Sequence, residues 1–198
     1  MSLRRTYTLW AAGYDALIAG ATARARQQSL AGLGEVAGQR ILIDGVGTGL
    51  DYPWLPVGAD YVGVDLTWAM LKKAMDRPDG RQVRLVQGDA MQLPFAGAVF
   101  DRIVMHLILA VVPEPARALT EAVRVLKPGG QILIFDKFLK PGQKAPLRRL
   151  ISPLLGRLAT RTDVVFEDVL RDVSSLQLVS DVPALAGGWF RLIRLRKA

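Results

Sequence analysis

The chain has no cysteine and a single histidine, His106. The lack of cysteine excludes disulfides, thiol catalysis and cysteine-ligated metals, and one histidine is too few for a histidine-rich metal site. Long apolar runs are also missing: the longest candidate, 103–112, contains His106 and is shorter than the roughly 18–20 residues of a membrane-spanning helix. The first five residues lack the apolar core of a signal peptide. We therefore predict a cytoplasmic protein without a metal site.

Acidic residues are fewer than basic ones: 18 Asp and Glu stand against 26 Lys and Arg, which gives a net charge of +8. Such an excess indicates acidic partners, namely nucleic acid, anionic lipid or a phosphorylated substrate, and its alternative is a solvated surface rich in arginine. The 198 residues, 51% of them hydrophobic, are enough for one compact domain with a full core. No repeat, linker or low-complexity tract divides the chain.

Strand and helix patterns alternate through the middle of the chain. The predicted strands are 40–44, 59–65, 83–86, 100–105 and 131–136, and the helices between them include 67–75 and 113–126. The segment Lys127-Pro128-Gly129-Gly130 is expected to stop the second of these helices. Strands that recur about every twenty residues with intervening helices predict right-handed βαβ units and a parallel sheet.

Both flanks of this region have helical patterns. Residues 2–38 are amphipathic, with Tyr7, Trp10 and Tyr14 on one face, and 1–38 is expected to form an N-terminal helical cap. A leucine stripe runs from Leu147 to Leu158 within 137–161, a stretch with seven Lys or Arg and no Asp or Glu. With a helix at 165–173, residues 137–174 are expected to form a helical insertion. The remaining C-terminal residues predict a hairpin of 176–182 and 189–195.

Glycines at positions 45, 47 and 49 follow the first strand, as in a tight loop that lets a ligand approach the backbone. A dinucleotide fingerprint would have glycine at position 50 and cations nearby, whereas this chain has Leu50 and Asp51. Asp65 ends the second strand, where it could accept hydrogen bonds from ribose hydroxyls, and Asp89 follows the third. Together these features favour an adenosine that carries an amine rather than a diphosphate.

The set of Ile41–Gly49, Val64-Asp65, Gly88-Asp89, Phe100-Asp101 and Leu126–Gly130 resembles the class I S-adenosylmethionine-dependent methyltransferases. The resemblance covers about residues 36–138 and implies an α/β fold: a Rossmann-like, doubly wound sheet of about seven strands, mostly parallel, with an antiparallel C-terminal hairpin strand. Tyr14-Asp15 is similar to a pair in the quinone-biosynthesis and bacterial phospholipid N-methyltransferases. Gly45–Asp51 and Trp189–Arg194 resemble the phospholipid group more closely.

The resemblance implies a role for each matching residue toward S-adenosylmethionine. Gly45, Gly47 and Gly49 would lie along the methionine part, Asp65 would bind the ribose, and Asp89 with Ala90 would bind the adenine between Leu66 and Met91. The remaining cofactor contacts would come from Tyr14, Thr48, Met70, Gly88 and Met105.

The family often has an acidic residue two positions before the first glycine, where this chain has Ile43. Asp44 is one position later and should point to the opposite face of the strand. It is therefore expected to serve structure only, which leaves Asp51 or a backbone carbonyl to bind the methionine ammonium.

His106 follows the fourth strand, where the acceptor normally lies in this family. It is the only imidazole available as a general base or acceptor-orienting group, and its alternative role is to fill a polar niche beneath the site. Methyl transfer itself requires mainly that acceptor and methyl be held close and aligned.

The acceptor is expected to be small or lipid-like, with a phospholipid amine such as phosphatidylethanolamine as the first choice. The alternatives are a quinone precursor or another soluble metabolite and, without catalysis, a basic nucleic-acid-binding module, for which no recognisable motif is present. The basic segment 137–161 would bind an anionic membrane surface, placing the protein on the inner face of the membrane, or would only cover the pocket. The sequence indicates no obligate protein partner.

Overall fold

The structure, a computed structural model, describes residues 19–77, 83–139, 164–171 and 173–198. The predictions for Tyr7, Trp10, Tyr14 and the leucine stripe 147–158 lie outside the described residues. The N-terminal cap and the helical insertion are each described only in part, and the position of the insertion 137–174 over the acceptor site stays a prediction.

Seven strands form one sheet in the order β3-β2-β1-β4-β5-β7-β6. Strands β1 to β5 are parallel to one another, β7 is antiparallel to β5, and β6 is antiparallel to β7. This arrangement confirms the predicted Rossmann-like, doubly wound fold with its C-terminal hairpin. The strands are β1 (Arg40–Asp44), β2 (Asp60–Asp65), β3 (Val83–Gln87), β4 (Phe100–His106), β5 (Leu126–Lys137), β6 (Leu176–Leu185) and β7 (Phe190–Lys197).

The described helices are α1 (19–31), α2 (Trp68–Met75), α3 (Pro115–Val125) and α4 (Phe166–Arg171), with 3-10 turns at Tyr52–Trp54 and Ala186–Gly188. The segment 127–130 does end α3, but it already belongs to β5, which begins at Leu126. Between β1 and β2 the only helical turn is Tyr52–Trp54, so the glycine loop has no α-helix dipole behind it. None of the described helices is long and apolar enough to cross a membrane.

The sheet is packed on both faces, and β1 shows how the alternation of its side chains builds the two cores. Leu42 points into a cluster with Ile103, Ile132 and residues of α3 and α4. Ile41 and Ile43 point to the other face, where α1 supplies Leu30 and further apolar residues. Because β1 to β4 are parallel, their carboxyl ends meet at one edge of the sheet, and the loops that follow them enclose a cavity there.

Candidate functional site

A cavity of about 220 Å³ lies at the carboxyl ends of β1 to β4. Its wall brings together residues from four separate loops and from α1. Most of the predicted site residues line it: Gly45, Gly47, Thr48, Asp65, Leu66, Met70, Gly88, Asp89, Ala90, Met91 and His106. The order of the strands therefore brings residues from separate sequence motifs together in one site.

The glycine loop forms the floor of this cavity. Gly45 and Gly47 have positive φ values of 76° and 56°, which residues with a Cβ rarely adopt. A Cβ on Gly45 would lie 2.9 Å from Ile108, so this glycine allows the β4 loop to approach closely. A Cβ on Gly47 would lie no closer than 3.9 Å to any atom, so the space beside Gly47 is open. The glycine loop therefore packs against protein at Gly45 and leaves space for a ligand at Gly47.

Three residues predicted to contact the cofactor are not in the cavity wall. A Cβ on Gly49 would lie 2.7 Å from the ring of Tyr52, so a glycine is needed there for packing against Tyr52. Met105 is fully buried in the core cluster of Leu42, and Asp51 lies beneath the wall. Tyr14 lies outside the described residues.

Asp65 is held by the backbone around it. Its Oδ2 accepts a hydrogen bond from the Gly47 amide at 3.0 Å, and its Oδ1 accepts one from the Thr67 amide at 2.8 Å. Burial raises the pKa of Asp65, and the two amide hydrogen bonds oppose that rise. Each carboxylate oxygen keeps a lone pair for a ligand, and the ribose contact of Asp65 stays a prediction.

Asp89 also lines the cavity. Its Oδ1 accepts a hydrogen bond from the Met91 amide at 2.8 Å, which closes the turn after β3. Leu66, Ala90 and Met91 present apolar surface beside it. A carboxylate beside apolar side chains can bind a planar, amine-bearing ring, and the adenine contact of Asp89 stays a prediction.

Asp44 corrects the sequence prediction. It does point to the face opposite Ile43, but the cavity lies over that face, and Asp44 lines it. The side chain is fully buried, and neither carboxylate oxygen has a hydrogen-bond partner among the described residues. Burial first, and then the charges of Asp65 and Asp89, raise the pKa of Asp44 to about 7. An unsatisfied buried carboxylate at a cavity is able to bind a cation, so the position of Asp44 does not fit the expectation that it serves structure only.

Asp51 differs from its predicted role because its carboxylate already has cationic and imidazole partners. Its Oδ1 accepts hydrogen bonds from Arg26 Nη1 and His106 Nδ1, both at 2.8 Å. Burial alone would raise the pKa of Asp51, but His106 and Arg26 hold it well below its usual range. The carboxylate of Asp51 is therefore engaged within the protein, and its ammonium contact stays a prediction.

His106 lines the cavity, but both of its ring nitrogens are engaged. Nδ1 pairs with Asp51, and Nε2 lies 2.9 Å from Ser29 Oγ of α1. This is the geometry of a fixed imidazole in a polar niche. The general-base role stays a prediction that requires Ser29 to move.

Arg26 and the wall supplied by the loop after β4 were not predicted from the sequence. Arg26 comes from α1, and no spacing motif marks it. The loop adds an apolar wall: Leu107, Ile108, Val111, Val112 and Pro113. Asp136, buried at the end of β5, anchors this loop because its Oδ2 accepts a hydrogen bond from the Ala110 amide at 3.0 Å.

Comparison with protein families matches residues 43–134 to a family model described as a methyltransferase domain. The chain is 29% identical over 201 residues to a phosphatidylethanolamine N-methyltransferase of Cereibacter sphaeroides, with 99% of the chain and 98% of the relative covered. It is 40% identical over 173 residues to a demethylmenaquinone methyltransferase of Clavibacter sepedonicus, covering 82% of the chain and 66% of the relative.

A structural neighbour extends the comparison over the whole fold. It is described as an S-adenosylmethionine-dependent methyltransferase, possible histamine N-methyltransferase, of Thermotoga maritima. The TM-score is 0.74 at 21% identity, and all of both chains is covered. At that identity the likeness shows the fold alone.

Proposed function

The chain belongs to the class I S-adenosylmethionine-dependent methyltransferases, and we propose that it methylates the amine of a lipid headgroup of the phosphatidylethanolamine type. The observation that carries the cofactor assignment is the buried carboxylate of Asp44 at the cavity, which has no partner among the described residues and directly precedes the loop that contains Gly47. Gly47 leaves space at the cavity floor, and the Asp44 carboxylate beside it lacks a partner among the described residues. This combination suits the amino-acid part of a ligand, with its ammonium paired to Asp44.

The charges of the site support the same cofactor. Asp44, Asp65 and Asp89 give the cavity three carboxylates within a chain of net charge +8. S-adenosylmethionine has two cationic centres, the sulfonium and the ammonium, and two ribose hydroxyls that need acceptors. We assign Asp44 to the ammonium, Asp65 to the ribose and Asp89 to the adenine amine, with Leu66 and Met91 against the ring.

When bound, this cofactor supplies a methyl group on a sulfonium, which is already activated for displacement. The residues of the chain then need to hold the acceptor in line with that methyl and to exclude water, because orientation alone removes roughly 7–11 kcal/mol of barrier. The apolar wall of the β4 loop, including Leu107, Val111 and Val112, supplies the water-excluding surface. The Asp136 anchor fixes that wall relative to β5.

Two observations favour a lipid amine as the acceptor. The relative named as a phosphatidylethanolamine N-methyltransferase aligns with nearly the whole chain, and the excess of basic residues suits an anionic membrane surface. A quinone precursor is the second candidate, because the identity to the demethylmenaquinone methyltransferase is higher, although the chain spans only 66% of that relative's length.

The acceptor is tested by supplying radiolabelled S-adenosylmethionine and either phosphatidylethanolamine in anionic vesicles or demethylmenaquinone in detergent. Label in the phospholipid with none in the quinone is the expected result, together with co-sedimentation with the vesicles at low salt. Label in the quinone alone overturns the lipid assignment. A thermal shift with S-adenosylhomocysteine tests the cofactor separately from either acceptor.

Asp65→Ala should weaken S-adenosylhomocysteine binding about 10- to 100-fold, because hydrogen bonds to a charged group contribute ~1.5–3 kcal/mol. The matched control is Asp60→Ala, which removes an exposed carboxylate from the other end of β2. Calorimetry should find the control within about twofold of wild type, because exposed charges are screened. Unchanged affinity of the Asp65 variant would refute the ribose assignment.

A further inference from the structure

Arg26 is the only Lys or Arg among the described residues that line the cavity. It is fixed within α1 and against the glycine loop: Nε donates to Thr22 Oγ1 at 3.1 Å and Nη1 to Asp51 Oδ1 at 2.8 Å. The remaining terminal nitrogen, Nη2, is left for a ligand. A cavity with three carboxylates thus has one cationic donor in its wall.

A buried hydrogen-bond network holds this guanidinium in place. Asp51 joins Arg26 to His106, and His106 joins Asp51 back to α1 through Ser29. All four residues are buried. Hydrogen bonds in such surroundings are strong and geometrically restrictive, so the network fixes α1 relative to β4 and the loop after β1.

We propose that Arg26 binds the carboxylate of the cofactor's amino-acid part and that His106, acting through Asp51, is a positioning residue for Arg26. This inference rests on the proposed cofactor. The reason is one of charge. Asp44 is assigned to the ammonium of the cofactor, and the carboxylate attached to the same carbon needs a cationic partner. Among the described residues of the cavity wall, only Arg26 is a cation of this kind. Because both nitrogens of His106 are engaged, the imidazole serves the network and not the acceptor's proton.

The test pairs a change in the protein with the matching deletion in the ligand. Wild type, Arg26→Ala and Arg26→Lys are titrated calorimetrically with S-adenosylmethionine and with its decarboxylated form, which keeps the sulfonium and the ammonium. Arg26→Ala should lose tenfold or more in affinity for S-adenosylmethionine and less than about twofold for the decarboxylated ligand. The affinity of Arg26→Lys for S-adenosylmethionine should lie between those of wild type and Arg26→Ala, because lysine keeps the positive charge but not the planar guanidinium that binds a carboxylate with two hydrogen bonds.

Retained binding of the decarboxylated ligand also shows that each variant is folded. Arg24→Ala, an exposed charge on the same helix, is the matched control and should bind both ligands as wild type does. Equal losses for the two ligands, or no loss for either, overturn the carboxylate assignment. Wild type that binds neither ligand instead refutes the proposed cofactor.

The positioning role of His106 is tested by comparing His106→Ala with His106→Asn, whose amide can replace the Nδ1 donor to Asp51. His106→Ala should raise the KM for S-adenosylmethionine about five- to tenfold with a smaller effect on kcat, and His106→Asn should recover most of that loss. If His106 is instead the general base, both variants lose kcat by roughly 100-fold or more with unchanged cofactor affinity, and the proposal is overturned.

Discussion

Asp44→Asn should make the ligand-free protein more stable at pH 8 and yet largely unable to bind its cofactor. Burial raises the pKa of Asp44 from its usual value of 3.8 to about 7 in the folded protein, so the fold prefers the protonated carboxyl. The contribution of Asp44 to stability is therefore fully present below about pH 4, falls as the pH rises, and is lost above about pH 7. A difference of three pKa units corresponds to ~4 kcal/mol at most, and asparagine removes this penalty.

Thermal unfolding should accordingly show a higher Tm for Asp44→Asn at pH 8, by several degrees, and a smaller difference at pH 5, with almost no difference below about pH 4, where Asp44 is protonated in both the folded and the unfolded protein. The pH dependence separates the removal of a buried charge from an incidental packing effect. A variant that is less stable than wild type at pH 8, or a difference that does not change with pH, would show that Asp44 has a partner in the ligand-free fold.

Binding should change in the opposite direction. Loss of one member of a buried ion pair costs ~2–5 kcal/mol, so Asp44→Asn should weaken S-adenosylhomocysteine binding on the order of 100-fold at pH 8. For wild type, affinity should rise with pH up to about 7 and then level off, because the ammonium selects ionised Asp44. Affinity at pH 6 should be about tenfold weaker than at pH 8.

Calorimetry in buffers of different ionisation enthalpy checks this linkage directly. Wild type should release protons on binding near pH 7, and Asp44→Asn should release far fewer. Asp89→Asn is a useful comparison because it removes a neighbouring charge and should lower the pKa of Asp44, which shifts the pH dependence toward acid without abolishing it. A wild-type affinity that is flat from pH 6 to 8 contradicts the assignment of the ammonium to Asp44.

The parts of this site that the sequence predicted are those set by local pattern. Alternation of apolar residues locates the strands, and the residue at the carboxyl end of a parallel strand must lie at the ligand edge of the sheet. The prediction that Asp65, Asp89 and the glycines at 45 and 47 lie at this edge is confirmed by their place in the cavity wall. It needed no knowledge of contacts between distant residues.

Asp44 shows that the alternation of side chains along a strand does not by itself locate the cavity. The sequence indicated correctly that Asp44 and Ile43 face opposite sides of the sheet, but not which side the cavity is on. That depends on how the loop after β4 folds over the strands, and Leu107 there has a φ of 57°, which no sequence pattern indicates for leucine.

The network around Asp51 could not be predicted for a different reason. Its partners are 25 and 55 residues away in sequence, in α1 and β4. Only the packing of α1 against the glycine loop brings Arg26 to Asp51, and nothing in the local pattern of either residue signals the other. The local pattern therefore left Asp51 or a backbone carbonyl as the predicted partner of the ligand's ammonium, whereas the fold pairs Asp51 with Arg26 and His106.

Gly47→Ala should separate the conformational need for glycine from the need for open space at the ligand. Its φ of 56° costs an alanine ~1–2 kcal/mol, and its Cβ would contact no protein atom closer than 3.9 Å. Stability should therefore fall only modestly. Cofactor affinity should fall on the order of 100-fold, because a methyl group in a fitted site costs up to ~3 kcal/mol.

Gly34→Ala is a matched control for the strain alone. Gly34 has a φ of 59°, a Cβ there would meet nothing within 4 Å, and the residue is not in the cavity wall. It should lose as much stability as Gly47→Ala and bind S-adenosylhomocysteine as wild type does. Gly45→Ala should be the least stable of the three, because its Cβ would press on Ile108. Equal affinities for Gly47→Ala and Gly34→Ala would place the cofactor away from Gly47, since strain alone would then account for both.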